Sequence, residues 1–345
     1  MNSYLFTLAL GVQDRPERWG SVSGYYLCLA HSLRRLGHRV VFAINPKVRC
    51  RKGFAVYECH QVANHAALNQ LLSAEDFTHA FIWGGRLQAD RETRARIEAF
   101  GVRVLFSELG WFPQAGTVYF DTQGTNAEVS FNGRPYAECL APTRKVFNKQ
   151  RRDFYRKKVG LGFFASPPAF GVQAPDLGKP ILVPLQDESD TNITLASPFS
   201  RMADFVDCLA QTYPHYRFVV RPHPSAPASN LPRHVNVRYQ ESSVDVYRTM
   251  ADFGLVVGIN STLLLEAAMM NMPVVAFGKG IGSGTGVFHD VDTSNLPGEF
   301  EQVSIDSRQA EAYLAFLLCQ RQLFKHDLRS RRRLRNSYLG GILGL

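Results

Sequence analysis

The chain has 345 residues, 45% of them hydrophobic and 20% charged, with a formal net charge of +9. This length suggests two domains, each able to bury its own core, in an ordinary globular composition. No run of about 18 apolar residues occurs, which excludes a membrane-spanning helix, and six scattered cysteines without a CxxC pair argue against a disulfide framework or a Cys-built metal site.

The opening stretch MNSYLFTLALGVQDRPERWG lacks a basic n-region and its apolar run is only strand length, so no signal peptide is expected and the location reads as cytoplasmic. In chain order, YLFTLAL is predicted to be a strand, SGYYLCLAHSLRRLGH a helix ending near Gly37, and RVVFAIN a strand. NHAALNQLLS reads as a helix, HAFIWGG as a strand, DRETRARIEAF as a helix closed by Gly101, and VRVLFSEL as a further strand. Short apolar runs separated by helices of this length predict a parallel sheet covered on both faces. Residues 161–178, rich in Gly and Pro and without period, read as the linker between a first domain over 1–160 and a second over 179–308. There the rhythm restarts. Strands are predicted at PILVPLQ, YRFVVRPHP, VNVRYQ, GLVVGIN and MPVVAFG, with helices at SRMADFVDCLAQTYP, VDVYRTMADF and STLLLEAAMMN. A last helix, RQAEAYLAFLLCQRQLF, leads into a basic tail within 309–345. The expected fold is α/β, with two Rossmann-like domains facing a central cleft, a layout shared by unrelated activities.

Positive charge concentrates in RKVFNKQRRDFYRKK (144–158) and KHDLRSRRRLR (325–335). Both runs read either as solvated helix faces or as surfaces for a polyanion; their interleaved apolar residues suit a helix lying on an anionic membrane. No RNA-binding module is recognisable, so nucleic acid is the weaker partner.

Three strand-to-helix transitions of the second half carry polar residues. In RPHP the two prolines stiffen a turn from which Arg221 and His223 project, as donors to a phosphate or sugar carboxylate or as a plain structural turn. In GINSTLLLEAA, Asn260 or Ser261 can N-cap a helix, and the same Asn260-Ser261-Thr262 start offers backbone N–H groups to phosphate. Glu266 lies on that helix, where it could accept from ribose hydroxyls. FGKGIGSGTG is a glycine-rich loop with Lys279 and Gly280 placed to meet phosphate, but it lacks a Walker A pattern. Gln186, Asp187 and Asn192 of LQDESDTNI either contact the nucleotide or form a polar loop, and DVD at 290–292 reads as a chance DxD, although Asp290 could line the cleft. In the first half, Asp121 stands among Trp111, Phe112, Tyr119, Phe120 and Gly124, as an Asx-turn residue or as a carboxylate held for chemistry.

RPHP, followed some forty residues later by NSTLLLEAA and then MPVVAFGKG, resembles the donor domain of bacterial capsule and lipopolysaccharide glycosyltransferases. The stretch ELGWFPQAGTVYFDTQGTN resembles the retaining β-Kdo transferases, which use CMP-Kdo (Kdo is 3-deoxy-D-manno-oct-2-ulosonic acid) and have a GT-B-like fold; the resemblance spans residues 80–290. Leu109-Gly110 departs from the Asp-Gly of some relatives. The resemblance implies Asp121 as nucleophile of a double displacement, shielded by aromatic neighbours, with Glu108 orienting the site or handling the acceptor proton. It implies donor binding by Gln186, Arg221, His223, Asn260, Ser261, Thr262, Glu266, Lys279 and Gly280, with Arg221, His223, Lys279 and the helix start at Ser261 stabilising departing CMP. Gln13, Asp14 and Ser23 would belong to an acceptor-side loop over 11–26. No metal or cofactor is implied beyond the donor, and the partner would be a glycan or lipid-linked glycan, at the inner face of the cytoplasmic membrane. Rival readings are a GT-B transferase using another nucleotide sugar or a CDP-polyol, a two-lobed sugar-binding protein, and a basic nucleic-acid binder.

Overall fold

The computed structural model describes the chain except residues 9, 11–17, 49–51, 133–135, 160–166, 172, 173, 225, 227–229, 242, 295 and 304. The first elements are β1 (Ser3–Leu8), α1 (Arg18–Arg35), β2 (Arg39–Ile44), β3 (Glu58–Gln61), α2 (His65–Ala74) and β4 (His79–Trp83). They are followed by α3 (Gln88–Ala99), β5 (Arg103–Leu109), β6 (Thr117–Asp121), α4 (Ala137–Val159), β7 (Ile181–Pro184), α5 (Thr191–Ala196) and α6 (Met202–Thr212). Next come β8 (Phe218–Arg221), β9 (Val237–Tyr239), α7 (Val246–Thr249), β10 (Leu255–Gly258), α8 (Thr262–Met269), β11 (Val274–Ala276) and β12 (His289–Asp290). The chain ends with α9 (Ser307–Phe316), β13 (Leu323–Phe324), α10 (Lys325–Arg329), α11 (Arg331–Arg335) and α12 (Tyr338–Leu343).

Two compact units result: Met1–Ser130 with Gln320–Leu345, and Phe131–Cys319. This corrects the predicted boundaries. The predicted linker at 161–178 falls inside the second unit, because α4 packs on α9 and buries Phe147, Phe154 and Val159 there. The predicted C-terminal segment is also divided: α9 stays in the second unit, while α10, α11 and α12 return to the first.

In unit 1 the sheet order is β13-β6-β5-β4-β1-β2-β3, and β3, β2, β1, β4 and β5 run parallel. Period-2 alternation divides β1 between two cores. Tyr4, Phe6 and Leu8 face one core, with Phe42, Phe81 and the fully buried Leu328, Leu339 and Leu343. Leu5 faces the other, with Val41, Ala80, Leu68 of α2 and Ile97 of α3. Each such leucine contributes about 1.5–3 kcal/mol of burial, which is why the tail folds back. The all-parallel expectation fails at one edge: β6 is antiparallel to β5, and β13 antiparallel to β6. The predicted last helix ends at Phe316, passes through a π-helical turn over Leu317–Arg321 and becomes a strand, with Leu323 beside Val118. An apolar run of this length satisfies both helix and buried-strand patterns, so periodicity could not separate them.

Unit 2 is a parallel sheet in the order β12-β11-β10-β7-β8-β9, the doubly wound arrangement with its reversal between β7 and β10. Ile181, Val183, Phe218, Val257 and Val275 form its core with Phe205 and Leu209 of α6.

The basic run on α4 is only partly a solvated face. Arg151 is buried, donates to Met269 O and Pro168 O at 2.8 Å each, and stacks on Phe170; burial pushes its pKa down to about 10. Lys158 is likewise turned inward, and Lys145, Lys149 and Arg152 remain exposed.

Candidate active site

In unit 1 the antiparallel register sets Phe106 opposite Asp121 and Glu108 opposite Tyr119, so both carboxylates point to the face that carries α3. Because β6 runs antiparallel, Asp121 lies beside the middle of β5, whereas Glu108 stands near its carboxyl end. Asp121 is fully buried. Its Oδ1 accepts from the backbone N–H of Gln123 (2.8 Å), Gly124 (3.2 Å) and Ser130 (3.0 Å). Its Oδ2 accepts from Ser130 Oγ at 2.7 Å and from the Arg321 guanidinium at 3.1 Å, and Arg321 lies over the Tyr338 ring. The expectation of a carboxylate shielded chiefly by aromatic rings is therefore corrected: amides, a hydroxyl and an arginine hold it.

Glu108 is half-buried and accepts from Leu109 N at 2.8 Å. Tyr26 bonds Ser107 Oγ at 2.8 Å, and its pKa is driven up by burial and then by the charges of Glu108 and Asp90. Upstream of β6, Gln322 grips the aromatic turn: its Oε1 accepts from Trp111 N (2.8 Å) and Phe112 N (2.7 Å), and its Nε2 donates to Phe112 O (2.8 Å). Gly110 is required by close approach, since a Cβ there would meet Thr117 Oγ1 at 2.4 Å and Gln322 Oε1 at 2.9 Å. Trp111 stacks on Tyr119 with ring centroids 4.5 Å apart. Sequence reasoning missed Arg321, Gln322 and Ser130, because they come from a segment read as helix and from a loop. It also missed Asp90, at the start of α3, whose carboxylate accepts from Gly85 N at 3.1 Å and whose pKa burial raises to about 6.

Of the predicted acceptor-side loop, Gln13 and Asp14 lie outside the described residues. Ser23 is buried within α1 and donates to Gly20 O at 3.1 Å, which is ordinary helix back-bonding rather than a ligand-facing hydroxyl.

In unit 2 the predicted residues gather where the strand order reverses. Gln186, after β7, donates to Asn260 Oδ1 at 2.9 Å and accepts from Asn260 N at 3.1 Å. Asn260 Nδ2 donates to Asn192 O (2.8 Å) and Lys279 O (3.0 Å), so Asn260 braces three loops and its side chain is spent on that task. Ser261 N-caps α8, accepting from Leu263 N at 3.2 Å, and Thr262 opens the helix, whose positive end favours an anion. Lys279 is exposed on the glycine loop, where Gly280 N donates to Ser283 Oγ at 2.9 Å and Asp290 accepts from Gly284 N at 2.9 Å. Arg221 donates to Val244 O at 2.6 Å and Gln240 Oε1 at 3.3 Å, tying β8 to the segment before α7; His223 is half-buried two residues on. Asp187 accepts from Ser189 N and Oγ within the polar loop after β7.

Glu266 is not available to a ribose. It is buried, with Oε1 2.8 Å from Lys158 Nζ and Oε2 accepting from Tyr247 OH at 2.5 Å, while Lys158 also donates to Tyr247 OH. Burial and the neighbouring Glu266 charge raise the Tyr247 pKa. α8 buries Leu264, Leu265, Ala267 and Ala268, and its acid meets Lys158 of α4, a fact of packing that the motif could not reveal. Among the described residues, Glu58, His60 and Glu75 could group round an ion, but Arg39 already lies 2.7 Å from each carboxylate.

Residues 169–324 match the family described as capsule polysaccharide biosynthesis protein. No curated protein matches the chain in sequence. Two solved structures share its fold. The Thermosulfurimonas dismutans KpsC β-Kdo 2,7 transferase is 16% identical, with a TM-score of 0.54, covering 93% of this chain and 92% of its own. The β-Kdo 2,4 transferase of the same organism is 14% identical, with a TM-score of 0.53, covering 94% and 92%. The α/β, GT-B-like fold of two Rossmann-like units is thus established, and the resemblance read from RPHP, NSTLLLEAA and MPVVAFGKG is borne out by a capsule-biosynthesis match that contains all three.

Proposed function

We propose that the chain is a glycosyltransferase of capsule or lipopolysaccharide synthesis that moves Kdo from CMP-Kdo to a surface glycan or glycolipid with retention of configuration. The observation that carries the reading is Asp121: a buried carboxylate fixed through Oδ1 by three backbone amides, in a chain whose second unit matches a capsule family. In this scheme Oδ2 attacks the anomeric carbon of Kdo, the bond from that carbon to the phosphate oxygen breaks, and CMP leaves with the electron pair. The acceptor hydroxyl then attacks the same carbon, gives its proton to Glu108, and the carboxylate of Asp121 is released. Two inversions give retention. Among the described residues the partners of Oδ2 are the side chains of Ser130 and Arg321, and the attack requires both to let it go. The α8 start with Ser261 and Thr262, together with Arg221, His223 and Lys279, would stabilise the CMP phosphate. Gln186 and Asn260 keep these loops in register.

The test is intact-protein mass spectrometry after incubation with CMP-Kdo, followed by peptide mapping. An added Kdo residue on Asp121 in the wild type, absent from Asp121→Asn, is expected. An adduct mapping to Glu108 would transfer the nucleophile role to that residue. Absence of both adduct and CMP release, with candidate acceptors present, would favour another nucleotide sugar or a CDP-polyol.

A further inference from the structure

A second charged feature of unit 1 has no part in this chemistry. The last turn of α1 and the helix α11 border an open cavity of about 670 Å³ lined by Arg35, Leu36, Arg331, Arg332, Arg335 and Asn336. All four arginines are exposed, and among the described residues none has a carboxylate within ion-pairing distance. Residues 325–345 contain six Lys and Arg against one acid, Asp327, and that acid is taken by Arg333 at 2.9 Å. Residues 18–38 of α1 and its exit contain no acid at all. The accumulated charge is felt locally: burial and then Arg329, Arg35 and Arg34 lower the pKa of His31, and burial, the N-terminus and Arg335 lower that of His38. Like charges held together without counter-ions cost stability, and a bound polyanion removes that cost.

We propose that this four-arginine recess is a docking site for the phosphate headgroups of an anionic phospholipid membrane. The recess lies at the end of α1, hence at the amino-terminal edge of the parallel strands, opposite the carboxyl ends of β4 and β5. A single small anion is held by buried, convergent donors; here the guanidiniums are exposed and spread over a broad opening, which fits a surface of many headgroups. Leu36, partly exposed in the lining of the recess, adds the apolar contact that an interfacial site uses. The proposal deepens the peripheral placement expected from the sequence and is independent of the donor chemistry.

The test is co-flotation of the full chain with vesicles of phosphatidylcholine, with or without phosphatidylglycerol. Wild type is expected to float only with the anionic vesicles. The quadruple variant Arg35→Gln, Arg331→Gln, Arg332→Gln, Arg335→Gln should lose partitioning on the order of 10²–10³-fold, with a thermal midpoint no lower than that of wild type. The matching Arg→Lys quadruple variant should keep most of the binding, and Lys145→Gln, Lys149→Gln, Arg152→Gln on α4 should keep nearly all of it. CMP release from CMP-Kdo in vesicle-free buffer should be equal in wild type and quadruple variant, so a failed donor reading and a failed docking site give different results. Equal flotation of wild type and the glutamine variant would overturn the site. So would no flotation of wild type, or displacement from vesicles by inorganic pyrophosphate or duplex DNA at matched phosphate.

Discussion

Asp121 should be two things at once, and substitutions can separate them. Replacing it with Ala removes the acceptor of three backbone amides, a serine hydroxyl and the Arg321 guanidinium. Breaking a buried, hydrogen-bonded ion pair from one side costs about 3–5 kcal/mol, toward the lower end here because the Arg321 side chain is 14% exposed and water can reach it. Asp121→Asn keeps an oxygen for the three amides, but its NH2 group no longer accepts from Ser130 and Arg321, a cost of about 1–2 kcal/mol. A two-unit chain need not unfold in one step, so a global midpoint would blur the effect. Native-state hydrogen exchange at the Gln123, Gly124 and Ser130 amides reads it directly. Exchange there should accelerate by between about 10² and 10⁴ in the Ala variant and by about 5- to 30-fold in the Asn variant. Wild-type protection of these amides in Asp121→Ala would refute the organising role. Wild-type turnover in Asp121→Asn would refute the nucleophile.

Three further outcomes follow from the same structure. Glu266→Gln should lower stability by about 3 kcal/mol, the low end for a broken buried pair because the Lys158 side chain is 25% exposed, while CMP affinity measured by calorimetry stays as in wild type; a tenfold weaker CMP affinity with no loss of stability would restore the ribose role. Gly85→Ala should cost roughly 3 kcal/mol or more, since Gly85 has φ +97° and a Cβ there would fall 2.2 Å from Phe106 Cδ1; an unchanged urea midpoint would contradict it. Asp90 titrates near 6 in the folded state, above its ordinary value, so the folded chain holds that proton more tightly than the unfolded one. Its contribution is therefore complete below about pH 4 and is lost as pH rises through about 6, and Asp90→Asn should flatten stability across that window.

Much of this was legible because local rules agreed with the fold. β1, α1, β2, α2, β4, α3 and β5 carry periods that only one element type satisfies, and the second half repeats them. That Gln186, Asn260 and Lys279 meet at the reversal point of unit 2 was legible for a related reason: segments that follow successive parallel strands share one edge of the sheet. What was not legible depends on partners remote in sequence. Glu266 and Lys158 each look solvent-facing in their own helices, yet they meet across a packed interface. The strand at Leu323–Phe324 is too short to carry a period, and its assignment rests on β6 offering an open edge. The domain boundary was misplaced because Gly and Pro marked an irregular segment, whereas the division is set by which core Phe147 and Phe154 join.

The placement of Asp121 gives these remote contacts a common logic. The chain leaves unit 1 after Ser130 and returns at Gln320. Ser130 and Arg321, one at each passage and the second 200 residues from Asp121, donate to the same oxygen, Oδ2. The next residue, Gln322, holds the Trp111–Phe112 turn, and the two after it pair with Thr117 and Val118. Position and availability of the carboxylate are thereby assigned to different donors, backbone amides on Oδ1 and side chains on Oδ2. Local amides on Oδ1 fix where it sits; the two passages decide whether Oδ2 is occupied. A motif of the form YFD can encode the first and carries no information on the second, which resides in a returning segment that reads as the end of a helix. In the proposed reaction the bond to the sugar forms on Oδ2, so substitutions at Ser130 and Arg321 act on the rate of that step through the oxygen they share, whereas those at Gln123 and Gly124 act through the position of the whole group.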